Sequence, residues 1–186
     1  ARCRGILDQM AGGAGTVGEG IEVRTVGAVV SDCLTDVRAT PPVRVDLTPD
    51  AAATHVRLPP RAVAQALRSL ITNAQDASPP EQPVHISASV DRGGDARSLR
   101  LVIIDRGAGM SADVLARVGE PFYTTKAPGR GMGLGMYLAR AVVEGIGGTL
   151  IIESTPGRGT RLTVVIPVEV AAGPDPAEAA PAPIAR

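Results

Sequence analysis

The chain is 186 residues long, enough to bury the core of one ordinary domain with a small appendage. Its 19 basic and 19 acidic side chains cancel to a formal net charge of zero, which argues against a general polyanion or nucleic-acid surface; anion specificity would have to come from a local cluster. Hydrophobic residues make up 44% but aromatics only 2%, so the core must be built of Ala, Val, Leu and Ile.

Residues 1–10 (ARCRGILDQM) put Cys3, Ile6, Leu7 and Met10 on one helical stripe, which dies in the flexible run Ala11-Gly12-Gly13-Ala14-Gly15. So short a stripe needs a partner, either a helix outside this domain or the domain itself. From Thr25 the spacing is helical again, with Val26, Val29, Val30, Cys33, Leu34 and Val37 on one face and Pro41-Pro42 as the stop. Cys33 in that stripe reads as a core thiol. Cys3 and Cys33 are far apart without CxxC spacing, so neither a disulfide framework nor a zinc site is expected, and a reducing cytoplasm fits. Val43, Val45 and Leu47 alternate with Arg44 and Asp46 as a half-buried strand, and Thr54 to Leu58 suggests a short second one.

Residues 61–77 (RAVAQALRSLITNAQDA) form a strong helical pattern with Val63, Leu67, Leu70, Ile71 and Ala74 buried. Gln65, Ser69, Asn73 and Asp76 make a polar line beside that face. Val84, Ile86, Ala88 and Val90 alternate as a strand, and residues 91–97 read as a hairpin loop. Leu101 to Ile104 is a continuous apolar run, expected to be a strand buried on both faces. It ends in Asp105-Arg106-Gly107-Ala108-Gly109-Met110. A carboxylate closing a central strand faces a ligand, and Gly107 and Gly109 would let the backbone approach whatever Asp105 binds; DxGxG also occurs in ordinary turns.

Ser111 can cap a short helix, SADVLARVG. A second helix is expected from about Gly133 to Gly145 with Leu134, Leu138, Ala141 and Val142 inward. Thr149–Glu153 and Thr160–Ile166 read as strands joined by the turn Thr155-Pro156-Gly157-Arg158. The Ala/Pro-rich tail after Pro167 is expected to be disordered. No apolar run approaches the roughly eighteen residues that would span a bilayer, and no signal peptide opens the chain. The sequence begins in mid-pattern, as a piece of a longer protein would.

Rare residues gather between Gly119 and Gly148. Lys126 is the only lysine among eighteen arginines, and Phe122, Tyr123 and Tyr137 are the only aromatics. Gly129, Gly131, Gly133 and Gly135 alternate with Arg130, Met132 and Leu134 before a helix begins. A glycine-rich loop carrying cations into a helix N-terminus is suited to holding phosphate. The spacing does not fit GxxxxGK[ST], and Leu134 and Met136 stand where a Rossmann GxGxxG would need glycine. Kinase VAIK and HRD segments and a GxSxG elbow are missing. His55 and His85 lie in no metal-ligand spacing and read as strand-surface residues.

Taken in order, LRSLITNAQDA, DRGAGM, PFYTTK with GRGMGLGM, and Gly159-Thr160 resemble the nucleotide-binding boxes of the GHKL (Bergerat-fold) ATPases. Within that superfamily the chain most resembles the catalytic and ATP-binding domain of sensor histidine kinases, over about residues 21–168. RCRGILDQM and PFYTTKAPGRGMGLGMYLARAV are in finer detail similar to the redox-responsive RegB/PrrB group. The resemblance implies an α/β fold, an α+β two-layer sandwich: a mixed sheet of about five strands covered on one face by about three helices, with a glycine-rich ATP lid. It implies residues 1–12 as the end of a dimerisation helix, 13–20 as linker, 21–168 as the domain and 169–186 as tail.

By resemblance, Asn73 is the asparagine whose amide oxygen holds Mg²⁺ on the ATP phosphates, and Asp105 accepts from the adenine amine with Thr160 in support. Phe122 anchors the lid. Lys126, the second catalytic candidate, and Arg130 meet the phosphates, with Gly131, Gly133, Leu134 and Gly135 presenting backbone. Tyr123, Thr125 and Met132 complete the nucleotide contacts, and Gly107 and Gly109 allow its approach. Ser69 and Asp76 depart from the residues many histidine kinases carry. Asp76 would face Mg²⁺-bound water or pair with an arginine. Ser69 stands where relatives carry a water-activating glutamate, which favours phosphoryl transfer over hydrolysis.

The implied function is transfer of the ATP γ-phosphoryl to a histidine on a separate dimerisation domain, since neither His55 nor His85 lies in an H-box. A response regulator would take the phosphate onward. A homodimeric parent anchored in the inner membrane, with this part cytoplasmic, is implied, and Cys3 is either a redox residue or a small apolar residue in a helix seam. A stand-alone serine kinase of the anti-sigma type and a non-catalytic ATP-binding module are the alternatives.

Overall fold

The apolar stripes of three helices meet on one face of a five-stranded sheet. The computed structural model describes residues 20–91, 97–127 and 131–171. The elements run β1 (Glu22–Thr25), α1 (Val26–Leu34), β2 (Val43–Asp46), α2 (Pro49–Ala53), β3 (His55–Leu58), α3 (Pro60–Ala77), β4 (Val84–Asp91), β5 (Ser98–Ile104), α4 (Ala112–Arg117), α5 (Gly135–Gly145), β6 (Thr149–Thr155), β7 (Gly159–Pro167) and β8 (Glu169–Val170). The larger sheet has the order β2-β4-β5-β7-β6, with β2 parallel to β4 and the other pairs antiparallel. This is the expected two-layer α/β sandwich. A second, antiparallel sheet, β1-β3-β8, was not legible in the sequence; its last strand lies in the segment expected as tail.

α3 is the centre of the helical layer. Pro60 sits in its first turn, where a missing N–H costs nothing. Its face Val63, Leu67, Leu70, Ile71 and Ala74 is buried as expected, against a core that includes Ile86, Leu101, Ile103, Leu162 and Val164. α1 and α5 flank it. Thr25 caps α1 by accepting from the Ala28 N–H at 3.1 Å. Cys33 is buried, donates to the Val30 carbonyl at 2.9 Å, and burial pushes its thiol up to about 11, which makes it a packing group at neutral pH.

Four expectations need correction. α1 ends at Leu34, and Asp36 at φ 62° turns the chain well before Pro41, leaving Leu34 and Val37 only partly buried. Val43–Asp46 is an edge strand rather than a half-buried one, with Val45 42% exposed. β5 is not buried on both faces: Leu99, Leu101 and Ile103 are buried, while Val102 and Ile104 on the opposite face are only partly covered, because no helix covers that side. α5 starts at Gly135, and its fully buried residues are Ala139 and Val143; of the expected Leu134, Leu138, Ala141 and Val142, Val142 packs against the core but is only partly buried. The small Ala139 turns toward α3 and the stripe is rotated by one position.

Leu70→Ala, at a fully buried site, is expected to lower the unfolding free energy by about 2–5 kcal/mol. Val45→Thr on the exposed edge should change it by less than about 0.5 kcal/mol. Denaturant unfolding of the two variants checks the assignment of inner and outer positions.

Candidate functional site

Between α3, the end of β5, α4 and the start of α5 lies a cavity of about 410 Å³. Asn73 and Asp76 enter from α3, Asp105 from the end of β5, Thr160 from β7, and Tyr123, Thr125, Lys126, Gly131, Met132, Gly133, Leu134 and Gly135 from the glycine-rich segment. Residues from four separated stretches of sequence therefore share one wall system. Gly107 and Phe122 do not line it, and Arg130 lies outside the described residues.

At one end, Asp105 is 3% exposed. Its Oδ1 accepts from the Gly107 N–H at 2.9 Å and the Thr160 N–H at 3.2 Å. Burial pushes its carboxyl above the usual range, and these backbone N–H groups only partly offset that. The glycines after it also meet a packing requirement. A Cβ on Gly107 would lie 2.1 Å from the Ala77 carbonyl oxygen, and one on Gly109 (φ 66°) 2.0 Å from that of Thr155. Their missing side chains let the strand end pack against α3 and the β6–β7 hairpin, and Gly109 also lines the cavity. Ser154, which the sequence reading missed, ties this end together: its Oγ accepts from the Met110 N–H at 2.9 Å, donates to the Gly159 carbonyl at 3.0 Å and lies 2.9 Å from Thr160 Oγ1. Its register opposite Thr160 across the hairpin was the available signal.

At the other end, Lys126 Nζ donates to Asn73 Oδ1 at 3.0 Å and to Asp76 Oδ2 at 2.6 Å. Asp76 Oδ1 accepts from Arg38 at 2.5 Å. Partial burial pushes the Asp76 carboxyl up, but the hydrogen bonds and charges of Lys126 and Arg38 outweigh it and hold the group below the ordinary range. Of the readings open for Asp76, the structure shows pairing with an arginine. The N-terminus of α5 abuts this end: a Cβ on Gly135 would lie 2.8 Å from Ser69 Oγ and 3.5 Å from Asn73 Nδ2. The start of α5 at Gly135 has no side-chain cap bond from Leu134 and lies at the cavity wall, where a helix N-terminus favours an anion.

The glycine-rich segment is fastened by backbone. Phe122, at φ 65°, donates its N–H to the Gly133 carbonyl at 3.1 Å. Gly133 is at φ 69°, and a Cβ there would lie 2.5 Å from the Phe122 carbonyl carbon, so glycine is required. Phe122 is 59% exposed, so among the described residues the segment is held here by its backbone and not by burial of its ring. Its neighbour Tyr123 is the held ring, with the Arg117 guanidinium 4.1 Å from its centroid and Glu120 3.3 Å from that arginine. Among the described residues no group of His, Cys, Asp and Glu forms a metal cluster; His55 and His85 stand half-buried on β3 and β4.

Residues 59–170 match the family described as histidine kinase-, DNA gyrase B-, and HSP90-like ATPase. The chain is 33% identical over 126 residues to the sensor histidine kinase ZraS of Klebsiella oxytoca, covering 68% of this chain and 26% of that protein. It is 36% identical over 123 residues to the histidine protein kinase DivJ of Caulobacter vibrioides, covering 62% of this chain and 20% of that one. The chain thus spans about a quarter or less of these relatives. Among solved structures, the mycobacterial sensor histidine kinase MprB shares the fold at TM-score 0.66 and 24% identity, over 81% of this chain and 99% of that one. Full-length ShkA in complex with AMPPNP does so at TM-score 0.71 and 20% identity, over 90% of this chain and 35% of that one. A match over more than half its length, on a fold of the same architecture, means that the chain belongs to the histidine kinase-, DNA gyrase B- and HSP90-like ATPases, a family of ATP-using domains.

Proposed function

We propose that this is the catalytic and ATP-binding domain of a two-component sensor histidine kinase, and that ATP occupies the 410 Å³ cavity. The observation that carries the proposal is the convergence of Asp105, Asn73, Lys126 and the uncapped start of α5 on that single cavity. Asp105, supported by Thr160 and Ser154, is the acceptor for the adenine amine at the buried end. The α5 N–H groups and Lys126 meet the phosphates at the other. Asn73 Oδ1 would hold Mg²⁺; the fit is supported by its already accepting from a cation, the Lys126 ammonium. Bound there, the ion would supply charge neutralisation for the phosphate oxygens.

Ser69 supports transfer over hydrolysis. No carboxylate stands at this position to activate water. The acceptor is then a histidine carried on a separate dimerisation domain, with a response regulator taking the phosphate onward and a homodimer as the working assembly. No helix among the described residues is long and apolar enough to cross a membrane; we place this domain on the cytoplasmic side of an inner-membrane parent by analogy with the sensor kinases it resembles. Membership of the redox-responsive RegB/PrrB group rests on the motifs quoted above. Cys3, its redox candidate, lies outside the described residues.

Asn73→Ala is expected to abolish label transfer from ATP to a separately made H-box domain while leaving the unfolding midpoint in place; full transfer by the variant would refute the assignment. Label appearing only on an anti-sigma partner would instead favour a serine kinase, and binding without transfer a non-catalytic module. Lys126→Arg should weaken nucleotide binding or transfer, because a bulky fork replaces a compact point charge; unchanged titrations and transfer rates would remove Lys126 from the site.

Asp105→Asn should weaken nucleotide binding by about 10- to 100-fold, the worth of one charge-assisted hydrogen bond. The acceptor is the ionised carboxylate, and burial raises its pKa. Affinity is therefore full above the raised value and falls as pH drops through it, at a higher pH than an exposed aspartate would give. Folding runs the other way: the stability linked to this group is fully present below the ordinary carboxyl value and is lost as pH rises through the raised one. Calorimetric titration of wild type and Asp105→Asn across pH checks this, since the variant should lose the carboxylate-dependent step.

A further inference from the structure

A carboxylate beside a triphosphate is a liability, because like charges at close range repel. Asp76 is such a group: it lines the same cavity as Asn73 and Lys126. In the structure its two oxygens are divided between two cations, Oδ2 with Lys126 at 2.6 Å and Oδ1 with Arg38 at 2.5 Å. If Lys126 moves to phosphate, one of those cations is withdrawn from Asp76 at the moment when negative charge arrives.

Arg38 is the cation that stays, and its backbone is held in place. The same guanidinium nitrogen also lies 3.3 Å from the Thr72 carbonyl, to which it donates. The Arg38 carbonyl accepts from Gln75 Nε2 at 2.8 Å, and that nitrogen also donates to the Pro41 carbonyl at 2.6 Å. Gln75 is 2% exposed. A buried side chain of α3 therefore pins the loop from Arg38 to Pro41 against the helix turn that carries Asp76. Arg38 lies outside the 59–170 segment matched to the family, so this counter-charge comes from a part of the chain the family match does not include.

We infer that Arg38 is a positioning residue of the phosphate site: its guanidinium neutralises Asp76, which leaves Lys126 able to exchange that carboxylate for the nucleotide. The inference rests on the reading of the cavity as the ATP site. Without Arg38, Lys126 would be the one remaining cation on Asp76 among the described residues, and its move to phosphate would leave that carboxylate uncompensated.

The test is a double-mutant cycle on the full 186-residue chain, read as binding of a non-hydrolysable ATP analogue with Mg²⁺. Arg38→Gln should weaken binding by about three- to tenfold, the size expected for one partly screened charge. In an Asp76→Asn background the same substitution should have almost no effect, because the charge it compensates is gone. A merely structural role for the loop would give the same loss in both backgrounds, and that result would overturn the inference, as would unchanged binding by Arg38→Gln alone. Arg38→Met is the second charge-removing variant; failure of both to fold would also overturn it, by making Arg38 a structural residue. Asn73→Ala and Asp105→Asn run alongside. If they bind the analogue as wild type does, the ATP-site reading fails, whereas if they lose it and Arg38→Gln does not, only the role of Arg38 fails.

Discussion

Burial of the apolar stripe of α3 is the interaction on which the rest depends. Val63, Leu67, Leu70, Ile71 and Ala74 fix the rotation of the helix against the sheet. Once that rotation is set, Ser69, Asn73 and Asp76 have no choice but to lie along its edge, facing α5 and the cavity. The hydrophobic effect is non-directional; here it acquires direction through helical periodicity. A site whose polar groups are mounted on a core helix inherits the rigidity of the core, which is what positioning for phosphoryl transfer demands.

The two ends of the cavity solve opposite electrostatic problems. At Asp105, water is removed and backbone N–H groups partly replace it, so the carboxyl sits above its usual range and is sensitive to anything that donates to it. At Asp76, two cations overcompensate a smaller burial and the carboxyl sits below its usual range. A chain of zero net charge can therefore gather cations at one end of the cavity and a buried carboxylate at the other without any large surface field.

The parts of this arrangement that were legible in sequence each break a local pattern. Asp105 terminates an apolar run, Lys126 is a lone lysine, and Asn73 sits in a polar line beside a buried stripe. What was not legible depended on contacts between distant segments. An apolar run such as Leu101–Ile104 cannot say whether one face of its strand is covered or both. In α5, apolar residues flank the stripe on either side, so periodicity leaves its phase open by one position. Gly107 and Gly109 announce close approach, but the approaching group, Ala77 or Thr155, is thirty or more residues away in sequence and cannot be read locally. Gln75 and Arg38 look like ordinary polar residues until the fold brings their loop and helix together.

The small sheet β1-β3-β8 pairs backbone from the two ends of the described residues. β1 and β8 lie on either side of β3 and run parallel to each other, two strand spacings or about 10 Å apart. Load applied at either end of the described residues would first meet these few residues of backbone pairing, remote in sequence from the glycine-rich segment. Val56 and Leu58 of β3 are buried in the same core as the stripe of α3, so this hem and the helical layer behind it would carry such a load as one packed unit.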